Sequence, residues 1–130
     1  MAHDHDHGHS HDDLFQGLAA ELQPLLDSSE QGIYLYLDDE LKICNERFSS
    51  LLGYASPEDW AGTSGSFPSL FVDEGSQDKL IGAYQKAMQK MVASVGEIRW
   101  KKKSGDTVDT TVMLVPISYQ GHLFALHFVS

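Results

Sequence analysis

Apolar residues along this chain recur first at helical spacing, then at strand spacing, and then repeat that alternation. Leu14, Phe15, Leu18, Leu22, Leu25 and Leu26 form a stripe that predicts a short amphipathic helix over 14–26. Asp12 or Asp13 is placed to cap it, and Pro24 is expected to end or kink it. Gly32-Ile33-Tyr34-Leu35-Tyr36-Leu37 reads as a strand, Asp38-Asp39-Glu40 as a turn and Leu41-Lys42-Ile43-Cys44 as the returning strand of a hairpin. Asn45 can cap a helix that buries Phe48, Leu51 and Leu52 and stops at Gly53. Ser56-Pro57-Glu58-Asp59 starts a second helix that closes near Trp60, and 61–68, with Gly62, Gly65 and Pro68, reads as loop. Leu80, Ile81, Tyr84, Ala87, Met88, Met91, Val92 and Val95 predict a long helix over 76–95, ended by Gly96. Strands are predicted at 97–101, at 107–115 with Pro116 marking the far end, and at 122–129.

The resulting order, β-β-α-α-α-β-β-β, predicts an α+β fold. A five-stranded antiparallel sheet has short helices and one long helix packed on one face, preceded by an amphipathic N-terminal helix. The last three strands form a meander and the opening hairpin joins beside them. The helix over 14–26 must bury its stripe, on its own domain or against a second chain.

The 130 residues suit one domain, with a body over 27–130 behind the helix and a tail over 1–13. The tail reads MAHDHDHGHSHDD, too polar to fold by burial, so disorder is expected there. His3, His5, His7, His9 and His11 can gather a Ni or Zn ion on a flexible segment whose aspartates attract cations. The net charge is −10, of which Asp4, Asp6, Asp12 and Asp13 supply −4. The remaining body is acidic, which argues against nucleic acid as a partner, and Lys101-Lys102-Lys103 reads as a solvated loop. No apolar run approaches membrane-spanning length, and no secretory signal is evident. The single cysteine, Cys44, excludes an internal disulfide and fits a cytoplasmic protein, with a buried hydrophobic role expected for it.

Two motifs point to a family. Asn45-Glu46-Arg47-Phe48-Ser49-Ser50-Leu51-Leu52-Gly53-Tyr54, followed by Ser56-Pro57-Glu58-Asp59 and Gly62, is close to N-x-x-F-x-x-L-L-G-Y. Arg99-Trp100-Lys101-Lys102-Lys103-Ser104-Gly105-Asp106 is similar to a strand–KKDG–strand hairpin. Together, in this order and at this separation, they resemble the PAS domain from about Leu25 to Val129. The resemblance implies a sensory or dimerisation module that passes a signal by protein–protein contact, as a homodimer or with a signalling partner. It also implies a small-ligand cavity between sheet and helices. Candidate walls are Tyr34, Tyr36, Phe48, Leu52, Phe71, Leu80, Tyr84, Met88, Trp100 and Met113, though strand alternation must turn some of them away. These residues suit a solid core equally well, and a filled core is the expectation.

The subclass is narrowed by what the residues lack. Flavin photosensors of this family carry G-x-N-C-R-F where this chain has Gly62-Thr63-Ser64-Gly65-Ser66-Phe67, so no covalent flavin is expected. Haem-binding members supply a histidine from the long helix; residues 76–95 contain none, and haem is not expected. His122 and His127 are five apart on the last strand and so point to opposite faces. His127 can line the pocket or ligate from the sheet; a hydrogen-bonded histidine of a half-buried strand is the ordinary reading. Asp38-Asp39 and Asp73-Glu74 lie in turns, no nucleophile elbow or P-loop is present, and catalysis is not expected.

Overall fold

The computed structural model describes residues 2–39 and 41–130, with side chains described from residue 13 onward. Helices α1 (Ala2–Ser28), α2 (Glu46–Leu51), α3 (Pro57–Ala61), α4 (Phe67–Phe71) and α5 (Glu74–Lys90) surround five strands. The strands are β1 (Gly32–Tyr36), β2 (Lys42–Cys44), β3 (Ser94–Lys101), β4 (Thr107–Tyr119) and β5 (His122–Val129). They form one antiparallel sheet in the order β2-β1-β5-β4-β3, so the opening hairpin joins the closing meander by pairing β1 with β5. Gly32 lies opposite Val129, and Tyr34 opposite His127.

Two cores form because the alternating side chains of the sheet are apolar on both faces. On the inner face Tyr34, Val112, Leu114, Ile98 and Trp100 pack under α2–α5 against Phe48, Leu52, Trp60, Phe67, Phe71 and Leu80. On the outer face Ile33, Leu35, Phe124 and Leu126 pack under α1, whose Phe15, Leu18 and Leu26 are buried there. The N-terminal helix thus covers its own sheet. Its approach is close at Gly17, where a Cβ would meet the Tyr119 hydroxyl at 3.0 Å.

Several boundaries differ from the expected ones. The helix α1 begins at Ala2, through the segment expected to be disordered, so Asp12 and Asp13 are interior rather than capping. A helix anchored by Phe15 and Leu18 propagates by adding one local backbone bond per residue. Pro24 neither ends it nor stops the next turn, because buried Leu26 holds that turn against the sheet. The helix α5 stops at Lys90, where Met91 turns the chain in the left-handed region (φ 55°), and Val95 and Gly96 belong to β3. Met91, Val92 and Val95, counted at helical spacing, are exposed. The expected loop over 61–68 yields to α4, which Phe67 and Phe71 anchor in the core. Pro116 lies inside β4, in a stretch that runs beyond the last residue paired with β3, so its missing N–H leaves no central ladder broken.

Candidate functional site

Tyr34 is the centre of the inner face. It stands on β1, is fully buried, and its ring stacks on His127 of β5 with centroids 3.9 Å apart and planes 10° from parallel. Phe48 and Phe67 lie 4.8 and 5.5 Å from the same ring, and Trp100 meets it edge-on at 5.6 Å. Aromatic packing of this density comes from α2 to α4 each contributing at least one ring beneath the sheet. Phe48 follows the Asn45 cap, Trp60 follows the Ser56 cap, and Phe67 opens α4.

The packing leaves a chamber of about 150 Å³ lined by Tyr34, Tyr36, Phe67, Pro68, Leu80, Ile81, Tyr84 and His127. A space of that size holds roughly six non-hydrogen atoms. Its wall between α4 and α5 is partly exposed at Ile81.

Two polar atoms of the lining residues have no hydrogen-bond partner: the Tyr34 hydroxyl and Nδ1 of His127. Deeper in the core the indole Nε1 of Trp60 is likewise unpaired. Trp100, in contrast, donates from Nε1 to Thr110 Oγ1 at 2.7 Å, and that hydroxyl donates onward to the Ile98 carbonyl. Burial pushes the His127 imidazole down to about 3, against a weaker opposing pull from the backbone of Tyr34 and Ala125. Burial likewise raises the Tyr34 phenol well above its ordinary range.

One edge of the chamber is pinned by Asp39. Its Oδ1 accepts from the Tyr36 hydroxyl at 3.1 Å and from the Phe67 amide at 2.9 Å, tying the β1–β2 turn to the start of α4. Burial and this carboxylate raise the Tyr36 phenol. Beside it the buried Lys42 donates to the carbonyls of Asp39 and Thr63 and lies over the Trp60 ring, 5.7 Å from its centroid.

Of the expected wall residues, Tyr34, Tyr36, Leu80, Tyr84 and His127 line the chamber. Phe48, Leu52, Phe71 and Trp100 lie in the inner core and do not reach the chamber. Met88 is half-buried on α5 and also stands outside the lining. Met113 is a correction. It lies opposite Val95 and Phe128 in register on the outer face and is 42% exposed, because the neighbours in β4 that point inward are Val112 and Leu114. Met113→Ser is accordingly expected to change stability by less than about 1 kcal/mol in urea unfolding and to leave chamber occupancy unaltered. His127 is fully buried on β5, where the backbone of Tyr34 and Ala125 acts on its imidazole and Nδ1 has no hydrogen-bond partner.

Phe67, Pro68 and Ile81 also line the chamber, and the pattern of the chain did not single them out for it. Ser66-Phe67-Pro68 carries a helix-start signal, proline in the first turn, that the surrounding glycines obscured. Cys44 is buried as expected, and burial pushes its thiol up to about 12. Lys103 is not simply solvated: its ammonium lies 3.3 Å from Asp59 and its amide donates to the Leu52 carbonyl, joining the β3–β4 hairpin to α2 and α3. The side chains of His3, His5, His7, His9 and His11 lie outside the described residues, among which no group of three metal-ligating side chains converges. No helix among the described residues is long and apolar enough to cross a membrane.

No family model matches the chain, and no curated protein matches it. Solved structures do. The PAS domain of a protein from Colwellia psychrerythraea is 21% identical, with a TM-score of 0.67 over 87% of this chain and 95% of that one. A PAS domain from a two-component sensor histidine kinase is 15% identical, with a TM-score of 0.64 over 88% and 97%. The PAS domain of a transcriptional regulator in the LuxR family from Burkholderia thailandensis, in complex with ethanol, is 14% identical, with a TM-score of 0.61 over 82% and 93%. The chain has the PAS fold.

Proposed function

We propose that this chain is a sensory module. A small molecule occupies the chamber between sheet and helices, and its presence is passed on by contact with another protein. The observation that carries this reading is the chamber of about 150 Å³ between the sheet and α4–α5, lined almost wholly by aromatic and aliphatic side chains. A structure of the same fold was solved with ethanol, which supports a small guest.

Output by contact fits the outer face. There α1 covers β1 and β5, while Val95 and Met113 lie side by side in register and exposed on β3 and β4, with Met91 and Val92 exposed nearby. Exposed apolar side chains grouped in this way suit a second copy of the chain or a signalling partner. The test is native mass spectrometry of the protein purified from its own host. A small-molecule adduct that is lost on unfolding is expected. A bare chain whose melting temperature no small molecule raises would overturn the reading.

A second reading concerns the tail as a Ni- or Zn-binding element. With a helical backbone from Ala2, His3, His7 and His11 fall four residues apart, the spacing at which two imidazoles can share one ion. Titration with Ni or Zn is expected to show micromolar binding that disappears on deleting residues 1–12. Binding that survives the deletion would discard this reading.

A further inference from the structure

β3 is an edge strand of the sheet, and its free edge is covered only towards its C-terminal end. Arg99 faces Asp109 in register, and both backbone groups of Arg99 point away from β4. Its carbonyl accepts from the Asp73 amide at 2.9 Å, and its amide donates to Ser76 Oγ at 2.9 Å. Beside them Val72 forms an antiparallel bridge to Trp100, so the chain itself adds a short extended segment to this edge. Backbone groups along a strand change sides at every residue, so those of Val95 and Glu97 point the same way as those of Arg99. Thr111, opposite Glu97, has the matching parity: its amide and carbonyl both bond Ser130, on the β5 side. Among the described residues nothing bonds to the outward amides and carbonyls of Val95 and Glu97.

The surroundings leave room for a strand there. Val95 is 62% exposed, and Glu97 is exposed. At Gly96, between them, an added Cβ would meet no atom within 4 Å. An open cleft of about 340 Å³ lies between α5 and β3, lined by Gly75, Ser76 and Lys79 of the helix and by Glu97 and Arg99 of the strand. Unpaired amides and carbonyls at strand spacing are a template for an extended backbone. Directly opposed residues of an antiparallel pair share a face, so a residue opposite Val95 packs beside its exposed methyls and one opposite Glu97 meets a carboxylate. We infer that this stretch of β3 takes an extended, antiparallel peptide segment of a partner protein, with a basic residue opposite Glu97 and an apolar one two positions later opposite Val95. A second copy of β3 fits less well, because two such strands paired about Gly96 set Glu97 opposite Val95 and bring no base to either carboxylate. Asp73 and Ser76 occupy the edge at Arg99, so the pairing is short and suits a transient contact. The inference rests on the reading that output passes by protein contact, and it is independent of the chamber.

The test adds the peptide acetyl-Lys-Thr-Val-Thr-Val-amide to the isotope-labelled full chain and follows backbone amide resonances and hydrogen exchange. Binding with a dissociation constant below about 1 mM is expected, with the Val95 and Glu97 amides shifted and protected from exchange. The same peptide N-methylated at its lysine and first valine lacks the two N–H groups aimed at β3, and should bind about tenfold more weakly. Glutamate in place of its lysine should weaken binding about threefold at low salt. Val95→Pro removes an amide that makes no bond to β4, so the variant should melt cooperatively yet bind the peptide about tenfold more weakly. Should that variant fail to fold, the N-methylated peptide decides alone. Binding unchanged by N-methylation, with shifts at Met113 and Phe128 only, overturns strand addition while leaving output by contact on the outer face. Equal binding of the glutamate peptide overturns the requirement for a base. Protection of the two amides that grows with protein concentration, together with a dimer mass, gives the edge to a second copy and overturns the peptide partner. No binding and no protection overturns the inference outright, and none of these results bears on whether the chamber is occupied.

Discussion

Asn45→Ala is expected to destabilise the protein by about 4 kcal/mol in urea or thermal unfolding, far more than an ordinary helix cap. A cap side chain normally accepts one bond and contributes about 1 kcal/mol. Asn45 is 4% exposed and makes three. Its Oδ1 accepts from the Phe48 amide at 3.1 Å, capping α2, and from the Ile33 amide at 2.9 Å, at the start of β1. Its Nδ2 donates to the Gln31 carbonyl at 2.9 Å. The substitution strands two amides and a carbonyl around a buried methyl group, each costing about 1–3 kcal/mol when unpaired. One residue thus locks the start of α2 onto β1, and β1 is the strand that joins the hairpin to β5. Asn45→Ser should recover part of the loss, because a shorter hydroxyl can still cap Phe48 but cannot span to Gln31. A loss of about 1 kcal/mol in the alanine variant would show that the asparagine is only a cap.

That network also shows how far the chain could be read in advance. The asparagine was legible as a cap because Asn before a helical stripe has a local signature, and so were Ser56 and the Gly53 stop. Its bond to Ile33 was not, because a contact across twelve residues is decided by how the strand seats, not by spacing. The strands and their antiparallel order followed from alternation, and the β5 boundaries agree with the expected ones. The errors fell where one pattern served two periods. Met91, Val92 and Val95 continue the helical repeat of α5, yet the chain turns at Met91 and sends Val95 into β3. Met113 failed for a related reason. Both faces of β4 are apolar, so composition could not say which one faced the helices. The chamber itself was only half legible. Five of its walls could be named from strand and helix faces, but Phe67 and Pro68 came from a stretch whose glycines and serines read as loop. The unpaired atoms of Tyr34 and His127 are properties of packing alone.

Acid should expose the buried imidazole. In the unfolded chain His127 takes up a proton near pH 6.5, whereas burial in the folded chain holds it off until about pH 3. Between those values the unfolded state binds the extra proton, so stability is greatest above pH 6.5 and falls as the pH drops towards 3. The slope is about 1.4 kcal/mol per pH unit, or close to 5 kcal/mol over the whole window. The phenol stacked on the imidazole, Tyr34, has its ionisation moved upwards by burial, so it does not titrate in this range. His127→Phe preserves a flat ring stacked on Tyr34 and removes the titration. Unfolding free energies of the two proteins, measured by urea at pH 6.5 and pH 4.5, should therefore diverge. The wild type should lose about 2 kcal/mol more than the variant over that interval. Surface carboxylates and exposed histidines cancel in the comparison because both proteins carry them. Parallel profiles would mean that the imidazole is protonated in the folded protein at mildly acid pH, with water in the chamber supplying its partners.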